Sequence, residues 1–260
     1  MKRQLNRARR RVRAPAILKH LLCAAVAGAL CFGAARAGTP GRIDFESVSN
    51  VVSPTLAAGD TAYNSNDAFR QAGYTLYVRN SASAAADDYG LVGALINGAD
   101  PFGCLLAACP ASNSTYFAGL NDGALELFRD DHLAFTVDGL RFAFIGAPEA
   151  AFGRLALTGT LADGGTLSVS NEFPGQVDGV FQFDQFVLGA FSSAVLTSLR
   201  IDACLYDGGG GCVFDHMTTQ NQAQFAIDNV QLTAVPEPAA LTMLLFGLAG
   251  ITLAARRRGR

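Results

Sequence analysis

Residues 155–170 read Leu155-Ala156-Leu157-Thr158-Gly159-Thr160-Leu161-Ala162-Asp163-Gly164-Gly165-Thr166-Leu167-Ser168-Val169-Ser170. Leu155, Leu157 and Leu161 before Asp163-Gly164-Gly165, and Leu167 and Val169 after it, fall on alternate positions, and the turn residues tolerate positive φ. The stretch predicts two antiparallel strands joined by a tight hairpin. The same period of two recurs in residues 43–46, 74–78, 125–128, 133–145, 180–188, 196–201 and 225–232, with Gly or Asp turns between runs. Short strands at this spacing predict an all-β domain, an antiparallel β-sandwich. The helical expectation is limited to short pieces near residues 61–71, where Asn66 or Asp67 could cap.

Working outward, the domain spans residues 38–234, which is enough chain for a single core. Residues 1–37 carry nine Lys and Arg and no acid, then an apolar run from Leu21 to Ala35 that closes on Ala35-Arg36-Ala37. That is a signal peptide with an A-x-A cleavage site, read by the Sec translocon and too short to cross a bilayer. At the other end, residues 235–260 begin Val235-Pro236-Glu237-Pro238 and continue through an uncharged run, 239–255, to Arg256-Arg257-Arg258-Gly259-Arg260. At 1.5 Å per residue the run predicts a transmembrane helix of about 25 Å whose basic tail stays cytoplasmic, leaving the domain on the far side.

Pro-Glu-Pro, an apolar helix and a basic tail, in that order, resemble the PEP-CTERM sorting signal. The resemblance implies that Pro236, Glu237 and Pro238 are read by an exosortase, a membrane transpeptidase-like cysteine protease of Gram-negative bacteria that make extracellular polysaccharide. The protein would then be exported, anchored transiently at its C-terminus, and released to the cell surface or extracellular matrix.

Charge narrows the partners. The whole chain is near neutral at −2, but residues 38–235 hold 7 Arg, no Lys and 21 Asp plus Glu, a balance of −14. Such a domain repels phosphate backbones and anionic headgroups, so no nucleic-acid partner is expected and cations are favoured. Four cysteines remain after the signal peptide, Cys104, Cys109, Cys204 and Cys212. An even count in an exported chain predicts disulfides. Of three connectivities, the local pairs Cys104–Cys109 and Cys204–Cys212 close short loops, the second through Gly208–Gly211; a four-thiolate zinc site is the alternative.

Catalytic signals are thin. His132 and His216 are the histidines of the mature chain, and no G-x-S-x-G, H-E-x-x-H, phosphate loop or C-x-x-C is present. Asp130-Asp131-His132 and Asp215-His216 read as polar turns. No catalytic residue is assigned, no cofactor is required, and the chain is expected not to be an enzyme, a secreted hydrolase being the third reading.

The opening Ile43-Asp44-Phe45-Glu46 and the closing Phe225-Ala226-Ile227-Asp228-Asn229-Val230 resemble the terminal strands of jelly-roll carbohydrate-binding modules. The resemblance implies a jelly-roll-like sandwich and a structural Ca²⁺ held by Asp44, Glu46 and Asp228, with Asn229, carbonyls or water completing the shell. It requires the first and last strands to pair. Two functions follow as expectations. The first is a non-catalytic surface or matrix protein acting in adhesion or the exopolysaccharide layer. The second is a calcium-dependent carbohydrate-binding module that stacks sugars on Tyr63, Tyr74, Tyr77, Tyr89, Tyr116 or Tyr206.

Overall fold

The computed structural model describes residues 40–80, 90–100, 108–146, 153–206, 209–213 and 223–235, together with Gly247. Ala37–Glu237 form one compact unit. Its first strands are β1 (Pro40–Ile43), β2 (Ser49–Val51), β3 (Ala62–Asn64), β4 (Ala68–Gln71), β5 (Tyr74–Arg79) and β6 (Leu91–Asn97). Next come β7 (Thr115–Gly119), β8 (Ala124–Arg129), β9 (Phe135–Phe144), β10 (Gly153–Leu161), β11 (Thr166–Glu172), β12 (Gln176–Val177) and β13 (Val180–Phe181). The rest are β14 (Asp184–Gln185), β15 (Leu196–Tyr206), β16 (Cys212–Val213) and β17 (Phe225–Ala234), with a 3-10 turn at Gly189–Ser193.

All ladders between these strands are antiparallel. The hairpin read from residues 155–170 forms, with β10 and β11 in register from Arg154↔Glu172 to Thr160↔Thr166. Gly164 supplies the turn at φ 85°. One sheet curls into two layers. The first runs β2-β4-β5-β8-β15 and continues through β10 to the edge strand β11; the second runs β9-β17-β7-β6-β3, with β14 on β9 and β1 on β17. The single register pair Leu196↔Phe135 joins the layers at β15 and β9.

Alternation explains what each layer turns inward. On β5, Tyr74, Leu76 and Val78 are buried while Tyr77 and Arg79 remain half-buried. Between the layers lie Phe45, Phe69, Phe117, Phe225, Phe142, Phe144 and Phe186. Phe117 stands 6.1 Å from Phe45 and from Phe69 and 6.3 Å from Phe225, ring to ring. Burying each such ring contributes roughly 1.5–3 kcal/mol. Gly119 is required here, because a Cβ would meet the Phe225 ring at 2.2 Å.

Two expectations are corrected. Residues 61–71 are not helical: they form β3, a turn at Asn66 with φ 74°, and β4. The buried Asp67 accepts from the Asn64 N–H at 2.7 Å and from Thr55 Oγ1 at 2.6 Å, so it braces a turn rather than a helix end. The first strand stops at Ile43 instead of running through Glu46, because Phe45 adopts φ 60° to drive its ring into the core.

Candidate functional site

The outward positions of the first layer form an open face. Tyr77 pairs with Glu126, Glu126 with Arg200, Arg200 with Thr158, and Thr158 with Ser168, one row across five strands. At the β4–β5–β8 end this face sinks into a hollow of about 610 Å³. Its floor is aromatic: Tyr77 and Phe128 meet edge to face at 6.0 Å, and the Arg79 guanidinium lies 4.7 Å over the Tyr77 ring. Its rim is polar. Arg79 Nε donates to Glu126 at 2.9 Å and Arg79 Nη1 to Asn66 at 2.6 Å. Arg70 Nε donates to Thr75 Oγ1 at 3.1 Å, and that hydroxyl donates to Asp130 at 2.5 Å. Arg129 pairs with Asp131 and donates to the Ala134 carbonyl. His132, at φ 59° in the turn after β8, closes the rim. The arrangement sets an apolar aromatic floor beside hydrogen-bond donors and an acceptor.

Asp130 and His132, read as a polar turn, therefore line the hollow, and among the described tyrosines Tyr77 lines it with them. Tyr63, Tyr74 and Tyr116 are buried and offer no stacking surface, because they point into the core or under a covering segment. Burial pushes the Tyr74 and Tyr116 hydroxyls up to about 12, and Tyr63 higher still. Tyr206 is half-buried at the end of β15, and Tyr89 lies outside the described residues. Arg70, Arg79 and Phe128 were not singled out in the sequence; the signal that finds them is their outward parity on β4, β5 and β8.

The first and last strands do pair, from Pro40↔Thr233 to Ile43↔Val230. The proposed Ca²⁺ shell is nonetheless not assembled. Asp44 accepts from Gln71 Nε2 at 2.7 Å, whereas Glu46 accepts from the Thr115 N–H at 2.8 Å and its hydroxyl at 2.9 Å. Asp228 is buried and takes Ser114 Oγ at 2.9 Å and the Asn229 N–H at 2.7 Å. Asn229 itself accepts from Arg42 Nε at 2.7 Å. Each carboxylate thus has protein donors of its own, and no three His, Cys, Asp or Glu side chains among the described residues cluster to hold a metal. Burial holds the Asp228 carboxyl above its usual range, against hydrogen bonds from Ser114 and Asn229 and the nearby Arg141 and Arg42. Glu46 faces a second hollow of about 360 Å³ beside Asn50, Asp60 and Asn97.

Cys204 and Cys212 form a disulfide with Cα atoms 5.4 Å apart, tying β16 to β15. Cys109 is also disulfide-bonded; Cys104 lies outside the described residues, as do Asp215, His216, Pro236, Glu237, Pro238 and residues 239–255 except Gly247. Among the described residues no helix is long and apolar enough to cross a membrane.

Comparison with solved structures finds the CBM22-1 xylan-binding domain from Paenibacillus barcinonensis Xyn10C at 14% identity and TM-score 0.31, covering 79% of this chain and 100% of that one. It also finds TmCBM61 in complex with β-1,4-galactotriose at 10% identity and TM-score 0.31, covering 61% and 88%. The family 11 carbohydrate-binding module of Clostridium thermocellum Lic26A-Cel5E follows at 9% and 0.28, covering 70% and 99%. Scores this low say nothing about what this chain binds. No curated protein matches the chain significantly. A family profile does match its end. Residues 234–258 are a PEP-CTERM protein-sorting motif, the tail of an exported protein that is membrane-anchored before processing by an exosortase.

Proposed function

We propose that the chain is a non-catalytic protein of the cell surface or extracellular matrix that binds polysaccharide through the open face of β4, β5 and β8. In this reading the Sec translocon exports it, the tail holds it at the membrane until exosortase processing, and the domain then acts in adhesion or within the exopolysaccharide layer. The observation that carries the binding role is the hollow itself, an aromatic floor at Tyr77 and Phe128 ringed by Arg70, Arg79, Asp130 and His132. Export supports the same role, since it delivers this face to where polysaccharide is. What supports the non-catalytic reading is that Asp130 is held by Thr75, while Asp228, the carboxyl held above its usual range, is buried away from the hollow.

A glycan array probed with the exported protein and its Tyr77→Ala variant tests the reading. Retention of at least one polysaccharide by the wild type, lost in the variant at unchanged fold, is the expected outcome. Failure to retain any glycan, or equal retention by both proteins, would overturn it.

A further inference from the structure

We propose that the polysaccharide taken by this hollow carries carboxylate groups, as a polyuronate does, and that Arg70 holds the carboxylate; this rests on the carbohydrate-binding reading above. Residues 38–235 contain only 7 Arg against 21 acids. Yet three of the seven, Arg70, Arg79 and Arg129, line this one hollow with His132 and Asp130, while Glu126 and Asp131 pair with two of them at the rim. The cationic groups of an acidic domain are thus gathered where its aromatic floor is. Net charge describes the field far from the surface, but beyond roughly 8–10 Å salt screens it, and local groups decide what binds.

The three guanidinium groups are not equivalent. Arg79 is neutralised by Glu126 and Arg129 by Asp131. Arg70 makes no ion pair among the described residues, and its Nε is spent on Thr75 Oγ1. Thr75 is in turn anchored by Asp130, so the relay Arg70–Thr75–Asp130 fixes the guanidinium plane while its two terminal nitrogens stay available. A planar fork fixed on one side matches a carboxylate bidentately, at less entropic cost than a free side chain. Arg70 is also exposed, and it lies on β4 next to the short strand β2, where a polymer has access.

In a polyuronate each carboxylate is carried on a sugar ring, so the anion and an apolar C–H face reach the hollow together, which suits one unpaired arginine beside an aromatic floor.

The test compares a polyuronate with the same polymer after chemical reduction of its carboxyl groups, by titration calorimetry on the exported protein. The expected results are polyuronate binding at least about tenfold tighter than that of the reduced polymer, weakening as NaCl rises, and a roughly tenfold loss for Arg70→Gln. The variant should lose more affinity for the polyuronate than for the reduced polymer and melt at the same temperature; equal losses on the two polymers would overturn the assignment of the carboxylate to Arg70. Equal affinity for the native and reduced polymers would overturn the carboxylate assignment while leaving carbohydrate binding intact, and this comparison needs no variant. Polyphosphate binding as tightly as the polyuronate would also overturn it, replacing it with general anion attraction. Binding of no polysaccharide at all would remove both readings.

Discussion

The two layers of the sandwich bury similar cores but treat their outer faces oppositely. Across the first layer the row Tyr77–Glu126–Arg200–Thr158–Ser168 stands open to solvent. Across the second, the equivalent row is Ala94–Ala118–Ala226–Ala143 on four neighbouring strands. That alanine floor is roofed: Phe183 packs edge to face on Tyr116 at 5.4 Å, the Arg141 guanidinium caps Phe183 at 5.5 Å, and Cys109 packs alongside. The comparison teaches that one antiparallel scaffold makes an open polar face or a second core according to which residues occupy the outward parity and whether a segment lies over them. Side chains long enough to reach a ligand were placed where no roof exists.

The largest expected effect comes from putting one charge on each face. Ala118→Asp buries an unpaired carboxylate under the roof and should cost more than about 3 kcal/mol or prevent folding. Ser168→Asp on the open face should stay within about 0.5 kcal/mol. Urea unfolding of both variants checks this, and similar midpoints would erase the distinction between the faces.

Next is Cys204→Ser, which frees the end of β15 in the open layer. Loss of so short a loop closure should lower stability by about 2 kcal/mol, with glycan binding at the far end of the face retained. Denaturant midpoints and thiol counting on the exported protein decide it.

A smaller effect of opposite sign is expected at Tyr116. Its hydroxyl is buried with no hydrogen-bond partner among the described residues. Tyr116→Phe removes a desolvated polar group and should raise stability by about 1 kcal/mol at an unchanged urea slope. A loss of similar size would mean that the hydroxyl has a partner beneath the roof.

The smallest effect is a pH drift. Asp228 sits in the second layer's covered sheet with its pKa raised by burial, so between the unfolded and the folded values the folded chain keeps a proton that the unfolded chain releases. Its contribution is fully present below the unfolded carboxyl value of about 4 and is lost as pH rises through the folded value. Melting temperatures of the wild type and Asp228→Asn, taken from pH 7 down through the unfolded carboxyl value of about 4, should therefore move in favour of the wild type as pH falls. A constant gap would show that Asp228 titrates normally.

The same contrast between faces governed what could be read from the chain. Strands with one wet face announce themselves: Tyr74–Arg79, Ala124–Arg129, Gly153–Leu161 and Thr166–Glu172 alternate, and all were anticipated in large part. Leu91–Asn97 and Thr115–Gly119 were missed, because both of their faces are largely covered and Leu-Val-Gly-Ala-Leu-Ile then shows no period of two. Of the candidate site, Tyr77 was legible as a strand tyrosine, but its partnership with Arg70, Arg79 and Phe128 depends on the register of β4, β5 and β8. The turn at Ala72-Gly73 sets β4 on β5, but nothing in the linear pattern says that β5 pairs with β8. The partners of the terminal acids were not legible for a related reason. Pairing of β1 with β17 was foreseen, but the positive φ of Phe45 and the bulge at Asn229 turn Asp44, Glu46 and Asp228 toward different partners.

The central claim is that polysaccharide binds on the open face at Tyr77. Its most direct test is titration of the exported protein, wild type and Tyr77→Ala, with the exopolysaccharide of the producing cells. The account predicts saturable binding by the wild type and at least a tenfold loss in the variant, at a melting temperature within a few degrees of the wild type. Undiminished binding by Tyr77→Ala would contradict it.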